Sequence, residues 1–344
     1  MNVTIFSTQA FERGFLQRAN GTHHVLQMMD ASLTADTAHV ARGSLAISVF
    51  SPDDGSAPVL ERLWAHGVRY VVVRAAGYDN VDLEAARQLG MRVAHVPAYS
   101  PYAIAEHTVA LTLALCRHLR QADQQLRGND FRLDQLIGFD LHGKTVGIVG
   151  VGRIGEVVAH ILHGFGCKLL GVDLNPNADL TARYGMQYVS LPELCAQADI
   201  ITVHTPLTAQ THHLIDDALL SQMKRGVLLV NTGRGGVLDT AAALRALDSG
   251  QLGYLGLDVY EHEKGLFFAD HRRHPLPPDE IFARLLTFPN VLVTGHQAYL
   301  THEALTNIAE ATLASVDAWE NGRPAAHELL KESVTESAPE PISA

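Results

Sequence analysis

The sequence predicts an α/β protein with two parallel sheets, each covered by helices. Strand-like apolar runs alternate with helix-like segments over the first hundred residues, and the same alternation resumes between Lys144 and Thr294. A length of 344 residues exceeds what one hydrophobic core usually serves, so we expect two domains. Apolar residues make up 47% of the chain, which is enough for two cores.

The first hundred residues contain short strand-like runs separated by helical stretches, as is typical of a small parallel α/β domain. Between the fourth run and the next helix lies the segment RAAGYDNVD, in which Gly77 forms the turn and Asn80 or Asp82 caps the helix. The amides of this turn are suitable for holding an anion. The predicted strands are Asn2–Phe6, Val25–Met28, Leu45–Val49, Tyr70–Val73 and Arg92–His95.

Residues 103–126 predict one long helix that carries the chain from the first domain to the second. Pro97 and Pro101 precede it, and we expect a hinge at residues 99–102. The helix is rich in alanine and leucine, so most of it should be buried.

A glycine-rich turn provides the strongest motif. The apolar run Thr145–Val149 predicts a strand, the next residues have the spacing G-x-G-x-x-G, and an amphipathic helix follows at once. Its first glycine allows a sharp turn, the second lets a pyrophosphate approach the backbone, and the third lets helix and strand pack closely. Phosphates would then bind at the helix N-terminus. The cofactor-binding residues predicted here are Gly150, Gly152, Ile154 and Gly155.

Asp173 ends the next predicted strand, Lys168–Val172, and lies 23 residues after Gly150. A carboxylate at this distance is expected to accept hydrogen bonds from an adenosine ribose and to repel a 2′-phosphate. No Lys or Arg follows before Arg183, so the sequence predicts NAD rather than NADP. The alternative is a tight turn followed by a surface aspartate.

The second domain continues with further strands, each followed within a few residues by a polar side chain. Because ligands bind outside the carboxyl ends of the strands in open parallel sheets, we expect these side chains to share one crevice. A final helix, His302–Glu320, should return to the first domain. The strands are Ile200–Val203, Val227–Val230, Tyr254–Asp258 and Val291–Thr294, and the polar residues are His204, Arg234, Asp258 with Glu263, and His296.

Hydride transfer from NADH to a ketone also requires a proton donor, and histidine is the usual one. Of the two histidines that follow strands, His204 and His296, the second is the better candidate because Glu263 could orient it and favour its charged form. Arg234 lies in a glycine-lined turn, where a guanidinium can bind a carboxylate with two parallel bonds, so we expect a 2-oxo acid substrate. Each of these residues has an alternative interpretation. His296 could be a surface histidine, Arg234 a structural arginine or a phosphate clamp, and Glu263 a solvated loop charge. We expect Glu261 and His262 to be solvated in this way.

Composition excludes several function classes. A net charge of −11 without a Lys/Arg cluster argues against nucleic acids and anionic membranes as partners. The histidines show no metal-ligand spacing, and we predict no metal. No apolar run is long enough to span a membrane and the N-terminus does not resemble a signal peptide, so we expect a cytoplasmic protein. The cysteines, each expected to be a small buried apolar residue, are Cys116, Cys167 and Cys195.

Five motifs in order resemble the NAD-dependent D-2-hydroxyacid dehydrogenases over nearly the whole chain. They are GVGRIG with Asp173, VHTPLT at His204, VNTGRG at Arg234, GLDVYEHE ending at Glu263, and TGHQAYLT at His296. The segments VPAYSPYAIAEH, RAAGYDNVD and EKGLFFAD are similar to the branch of that family that reduces pyruvate in fermentative bacteria.

This resemblance implies roles for individual residues. The catalytic residues would be Arg234, Glu263 and His296, with Asp258 near the nicotinamide. The substrate carboxylate would bind the amides of Ala76, Gly77 and Tyr78, and Tyr99 would close over the substrate. Tyr299, together with Phe267 or Phe268, would help to line the pocket. The remaining cofactor contacts would be Arg153, His204, Thr205, Pro206 and Thr232.

The resemblance also implies two Rossmann-like domains, with an NAD-binding domain (residues 102–298) inserted into a discontinuous substrate domain (residues 1–101 and 299–332). Residues 333–344 would be a disordered tail. The expected assembly is a homodimer or tetramer, with the helix near Ala103 as a contact. Gly233 departs from the serine usual in the family, and we expect only a small effect there.

The implied reaction is reduction of pyruvate to D-lactate with NADH. Phenylpyruvate, 2-oxoisocaproate, hydroxypyruvate or glyoxylate are alternative substrates for the same chemistry. A non-enzymatic NAD-sensing scaffold, like the corepressors built on this fold, is a more distant alternative.

Overall fold

The computed structural model describes residues 1–272 and 278–330. The chain forms two compact units, of which unit 1 comprises Met1–Tyr99 with the segment that starts at Leu305, and unit 2 comprises Ser100–Ala304. Each unit contains a parallel sheet with helices, so the predicted α/β fold is confirmed. The domain boundaries given above stay a prediction, and the predicted tail at 333–344 lies outside the described residues.

The predicted strands are all present, with end points that differ by at most two residues. The short edge strand β8 was not predicted, because two residues are too few to show an alternating pattern. In chain order the strands are β1 Asn2–Ile5, β2 Val25–Met28, β3 Ala46–Val49, β4 Tyr70–Val73, β5 Arg92–His95, β6 Thr145–Val149, β7 Lys168–Val172, β8 Gln187–Tyr188, β9 Ile200–Val203, β10 Val227–Asn231, β11 Leu252–Leu257 and β12 Val291–Val293.

All helices but the last lie between these strands, as expected for crossover connections between parallel strands, and α12 follows β12. In chain order they are α1 Arg13–Asn20, α2 Ala57–Ala65, α3 Leu83–Gln88, α4 Pro101–Cys116, α5 Leu119–Arg127, α6 Arg153–Gly164, α7 Ala178–Tyr184, α8 Leu191–Gln197, α9 Asp217–Gln222, α10 Thr240–Ser249, α11 Glu280–Thr287 and α12 His302–Glu320.

Within the described residues, the sheet of unit 1 has five parallel strands in the order β2-β1-β3-β4-β5. Val316 and Trp319 of α12 pack with Val3 and Ile5 in the core on one face of this sheet. The Trp319 indole also stacks on the Tyr70 ring with centroids 4.9 Å apart. Residues of the last helix therefore complete a core that the first strand begins.

Asp82 caps α3 by accepting a hydrogen bond from the Ala85 amide. Asn80 was the other predicted cap, and it instead donates to the carbonyl oxygens of Phe50 and Asp53. Asp82 therefore caps the helix, while Asn80 ties the end of the turn to the loop after β3.

The sheet of unit 2, in the described part of the chain, has seven parallel strands in the order β12-β11-β10-β9-β6-β7-β8. Its inner strands are buried on both faces, as their continuous apolar sequences predict. Two apolar clusters cover the faces, one of them containing Val109, Leu111 and Leu115 of α4.

The predicted long helix at residues 103–126 is wrong, because it is divided into α4 and α5. His118 has a left-handed backbone with φ of 51° and separates the two helices. A Cβ atom at Gly138 would lie 2.1 Å from the Cys116 carbonyl oxygen, and the Phe139 amide donates to that oxygen at 3.2 Å. A later segment thus caps α4. The residues of α5 are not buried, contrary to the expectation for this stretch.

The three cysteines are free and buried, as predicted. Burial raises the pKa of the Cys167 and Cys195 thiols to about 11. Among the described residues, no helix combines the length and apolar character needed to cross a membrane. The cytoplasmic location stays a prediction.

One cluster in unit 1 brings together three side chains of types that can bind metals. The buried His24 lies with Nε2 3.0 Å from Asp317 Oδ1 and Nδ1 3.5 Å from Glu320 Oε2. The imidazole and the two carboxylates have opposite charge when the ring is protonated, so the cluster can form ion pairs. The prediction that the protein needs no metal remains untested.

Candidate active site

The strand order of unit 2 aligns the predicted site residues along one edge of its sheet. Strands β12, β11, β10, β9, β6 and β7 are parallel neighbours, so their carboxyl ends point the same way. The residues that follow these ends are, in the same spatial order, His296, Asp258 with Glu263, Arg234, His204, Gly150 and Asp173.

The glycine turn has the geometry required for phosphate binding. Gly150 has φ of +89°, which a residue with a side chain rarely adopts. A Cβ atom at Gly155 would lie 2.3 Å from the Gly150 carbonyl oxygen, so α6 can approach the turn only with glycine there. A Cβ atom at Gly152, the N-cap of α6, would meet no described atom within 4 Å. This backbone therefore faces open space at the helix N-terminus, where Arg153 is exposed and Ile154 packs on the core.

Asp173 supports this turn directly. Its Oδ2 accepts a hydrogen bond of 2.7 Å from the Val151 amide, and its Oδ1 accepts one of 2.8 Å from the Asn175 amide. Each carboxylate oxygen has a further lone pair, so binding a ribose hydroxyl remains compatible with these contacts.

His204 and Thr205 lie beside the glycine turn. A Cβ atom at Gly150 would be 2.9 Å from the Thr205 amide nitrogen. His204 is only partly buried as a residue, but its Nε2 is out of solvent contact, and burial lowers the ring's pKa to about 4. His204 Nε2 and Thr205 Oγ1 have no hydrogen-bond partner in the described structure. Buried polar atoms normally have partners, so these two atoms fit a polar ligand at this edge.

Two other predicted cofactor contacts lie near His204. Thr232 Oγ1 is 3.5 Å from His204 Nδ1 and 2.8 Å from Thr108 Oγ1 on α4. The Pro206 carbonyl accepts a hydrogen bond of 2.6 Å from the Thr211 hydroxyl, which fixes the loop after β9.

Arg234 projects from a tight turn after β10. Its Nη1 donates to the Gly233 carbonyl at 3.0 Å, and its own carbonyl accepts from Asn231 Nδ2 at 2.9 Å. A Cβ atom at Gly235 would lie 2.1 Å from the backbone carbon of Tyr260, so the Arg234 turn packs against the segment that leads to Glu263. A Cβ atom at Gly233 would be 3.2 Å from the Thr205 carbonyl oxygen. The serine usual in the family would therefore be a tight fit.

Glu263 and His296, which are 33 residues apart in the chain, are joined by a short hydrogen bond. His296 Nδ1 lies 2.7 Å from Glu263 Oε1, while Glu263 Oε2 accepts from the Tyr260 amide at 3.1 Å. Both side chains are largely buried, with exposed fractions of 16% for His296 and 24% for Glu263. The carboxylate therefore orients the imidazole through Nδ1, and Nε2 lies on the opposite side of the ring.

Asp258 is the most buried acidic residue of this edge, with 1% of its surface exposed. Its Oδ1 accepts hydrogen bonds from the Thr294 hydroxyl and the Gln297 amide, and its Oδ2 accepts from the Ala298 amide. Burial raises the pKa of this carboxyl group, but hydrogen bonds from His107, Thr294 and the two amides outweigh it, so the net pKa is lowered. Asp258 thus holds the loop that carries His296.

Some neighbours of the candidate residues were not predicted. His107 on α4 contacts Thr294 and Asp258. The interpretation of Glu261 as a solvated charge is wrong, because its side chain is 10% exposed and pairs with His213 Nε2 at 2.9 Å. The sequence pointed to His107 only through its place at the end of VPAYSPYAIAEH, a segment that resembles the family.

Of the two phenylalanines predicted for the pocket, only Phe268 lies beside His296. Their ring centroids are 5.7 Å apart, and Phe268 has a left-handed backbone with φ of 62°. Phe267 instead packs against the core and against Phe282. Tyr299 is buried just after the His296 loop.

The other predicted substrate contacts lie in unit 1. The turn after β4 holds Ala76, Gly77 and Tyr78, and the Ala76 carbonyl contacts His95 Nδ1 at 2.9 Å. The Tyr78 ring packs edge-on against the His95 ring with centroids 5.1 Å apart. The Tyr99 carbonyl accepts a hydrogen bond of 2.6 Å from Asn307 of α12.

A buried ion pair underlies this turn in unit 1. Arg74, with 1% of its surface exposed, contacts Glu12 and donates to the Phe6 carbonyl at 2.9 Å. The end of β4 is therefore rigidly held where the turn begins.

Comparisons with known proteins indicate the family. Residues 109–298 match the family "D-isomer specific 2-hydroxyacid dehydrogenase, NAD binding domain". The chain is 44% identical over 331 residues to D-lactate dehydrogenase of Escherichia coli K12, covering 96% of this chain and 100% of that protein.

Two solved structures have the same architecture. The pyruvate reductase of Chlamydomonas reinhardtii is 42% identical, with a TM-score of 0.89 and coverage of 95% of this chain and 98% of that chain. The D-lactate dehydrogenase of Aquifex aeolicus complexed with NAD and lactic acid is 33% identical, with a TM-score of 0.85 and coverage of 93% and 96%.

The glycine turn, the open space at Gly152 and the unpartnered polar atoms of His204 and Thr205 fit a dinucleotide. NAD is the cofactor of the matched domain. The family match covers more than half of the chain, and the relatives align with nearly all of it. The chain therefore belongs to the D-isomer specific 2-hydroxyacid dehydrogenases, an NAD-dependent enzyme family.

Proposed function

We propose that this enzyme reduces pyruvate to D-lactate reversibly with NADH, and that His296 is the proton donor. The observation that carries this proposal is the 2.7 Å contact between His296 Nδ1 and Glu263 Oε1. When bound, NADH supplies a hydride to the carbonyl carbon of the substrate.

His296 supplies the other half of the reduction. As the carbonyl oxygen gains negative charge, the Nε2–H of the imidazolium donates its proton to that oxygen, and the neutral ring remains. Glu263 accepts the Nδ1–H throughout, so it keeps the ring oriented and compensates the positive charge of the imidazolium. In lactate oxidation the neutral Nε2 accepts the hydroxyl proton.

Arg234 binds the substrate carboxylate. Its planar guanidinium can donate two parallel hydrogen bonds, which fix the direction of the adjacent carbonyl group. The hydrogen bond from Nη1 to the Gly233 carbonyl limits the positions that the side chain can take. The amides of Ala76, Gly77 and Tyr78 are further proposed substrate contacts, as are the side chains of Tyr99 and Tyr299.

Phe268 favours a small substrate. Its ring lies beside the His296 ring, with centroids 5.7 Å apart, on the same edge as the candidate acid. An aromatic ring in this place takes up volume that the side chain of phenylpyruvate or 2-oxoisocaproate would need. Pockets discriminate by only about 1–3 kcal/mol per methylene group, so some activity on larger acids is expected.

A panel of 2-oxo acids tests the substrate. NADH oxidation is measured with pyruvate, glyoxylate, hydroxypyruvate, 2-oxoisocaproate and phenylpyruvate, and product chirality is determined by chromatography. We expect pyruvate to have the highest kcat/KM and D-lactate to be its product. A higher kcat/KM for phenylpyruvate, or L-lactate as product, would contradict the proposal.

In Phe268→Ala, the ranking of kcat/KM values in the same panel should shift toward larger acids.

An exposed apolar segment supports the predicted homo-oligomer. Phe131, Leu133 and Ile137 have exposed fractions of 70%, 73% and 81%, and Leu119 and Leu126 of α5 are also exposed. Apolar side chains concentrated in this way mark protein interfaces.

We expect light scattering to show a dimer or tetramer, and Ile137→Asp should shift the oligomer toward monomer. A wild-type monomer at micromolar concentration would exclude this assembly.

The proposed domain layout follows the same resemblance. Residues 1–101 and 299–332 would form the substrate domain, and residues 102–298 the NAD-binding domain. The division of the chain near Tyr99 and Leu305 supports this layout.

A further inference from the structure

His107 connects helix α4 to the loop that carries the candidate acid. Its Nε2 lies 3.0 Å from Thr294 Oγ1 and 3.5 Å from Asp258 Oδ1. The side chain is 20% exposed, so most of it is removed from solvent. The next residue, Thr108, contacts Thr232 at 2.8 Å. Consecutive side chains of one helix thus reach the residues that follow three different strands, β10, β11 and β12.

The hydrogen bonds define which atom of His107 is the donor. The Thr294 hydroxyl has one proton, and Asp258 Oδ1, 2.5 Å away, belongs to a carboxylate that can only accept, so the hydroxyl donates to it. The Thr294 oxygen can then only accept at its contact with His107. Nε2 of His107 therefore carries a hydrogen, in the neutral or the charged ring.

Asp258 transmits this arrangement to the backbone around His296. Its two carboxylate oxygens accept the amides of Gln297 and Ala298, each at 2.9 Å, and its main-chain carbonyl accepts the His296 amide at 2.7 Å. His296 needs such support because its φ of +53° is unfavourable for a residue with a side chain. Strained conformations of this kind persist only where surrounding contacts determine them.

Resting on the proposed role of His296 as the acid, we propose that His107 is a positioning residue for it. By donating through Nε2 to the Thr294 hydroxyl, which in turn donates to Asp258, His107 holds the carboxylate in the orientation that keeps the His296 loop in its left-handed conformation. His296 Nε2 is then presented to the substrate, while Glu263 fixes the other ring nitrogen. His107 itself transfers no proton to the substrate.

Replacing His107 tests this role. In His107→Ala, kcat for pyruvate should fall by about 10–100-fold, because small displacements of a catalytic group can cost about this much. The KM for pyruvate and the affinity for NADH should change little. The solvent deuterium isotope effect on kcat should increase, since proton transfer becomes slower. A loss of stability alone would not change this isotope effect.

Two variants serve as controls. His107→Gln keeps a nitrogen donor near the same place and should restore most of kcat. Glu106→Gln, an exposed neighbour on the same helix, should behave as wild type. If Gln at position 107 is as impaired as Ala, or if the Ala variant keeps full kcat and an unchanged isotope effect, the positioning role is excluded.

A double-mutant cycle gives an independent result. Thr294→Val removes the hydroxyl that links His107 to Asp258, so the double variant should be no more impaired in kcat than the worse single variant. Additive effects on kcat would overturn the proposal. Failure of the proposed function is separately visible, because His296→Ala would then keep its turnover whatever the His107 variants do.

Discussion

His296→Ala should lower kcat for pyruvate reduction by about 10²–10⁴-fold, the usual contribution of a positioned acid or base. The dissociation constant of NADH should stay unchanged, because the glycine turn follows a strand several positions away in the sheet. Stopped-flow measurement of NADH oxidation, with NADH binding followed by fluorescence, provides both quantities. Unchanged turnover would exclude His296 as the acid.

His296→Asn separates loss of the acid from loss of the loop conformation. Asparagine tolerates a left-handed backbone and its amide can still donate to Glu263, so the loop should keep its shape. An asparagine amide cannot protonate a ketone, and kcat should fall as far as in the alanine variant. A substantially higher kcat in Asn than in Ala would indicate that position 296 acts mainly through backbone geometry.

Arg234→Lys should raise the KM for pyruvate and lower kcat, with a combined loss in kcat/KM of about 10–100-fold. An ammonium group cannot reproduce the two parallel hydrogen bonds to a carboxylate, and one charge-assisted bond contributes about 1.5–3 kcal/mol. Steady-state kinetics with pyruvate measures the loss. An unaltered KM would argue against carboxylate recognition by Arg234.

Two comparisons make the Arg234 result specific. Pyruvamide has no carboxylate, so the preference for pyruvate over pyruvamide should shrink in Arg234→Lys. Arg225→Lys changes an arginine of unit 2 that donates to the Ser249 carbonyl at 2.7 Å, and it should keep wild-type kinetics. Equal losses on both substrates would show that the substitution acts through general distortion.

The elements that could be predicted from sequence are those specified by local pattern. Strands β6 and β10 are continuous apolar runs. The turn between β6 and α6 requires glycine because φ of Gly150 is positive and a Cβ atom at Gly155 would meet the Gly150 carbonyl oxygen. The position of polar residues after parallel strands was sufficient to group Arg234, Glu263 and His296 at one edge. The short hydrogen bond between the last two followed from that grouping.

Features that depend on distant segments could not be predicted. The break between α4 and α5 depends on Gly138 approaching the Cys116 carbonyl, and residues 116–121 contain no glycine or proline that would mark the end of a helix. The burial of Glu261 depends on His213, which lies 48 residues earlier. His107 was missed for the same reason, because its partners Thr294 and Asp258 follow strands far along the chain.

The packing of α12 on β1 has a consequence for biosynthesis. Val3 and Ile5 leave the ribosome early, whereas Val316 and Trp319, which share their core, are made only after all of Ser100–Ala304. Roughly 200 residues separate the two parts, which takes about 10–40 s at about 5–20 residues per second. During this interval the nascent first unit exposes an incomplete apolar face. The intervening unit has its whole sequence at the end of the interval and can fold before α12 is complete.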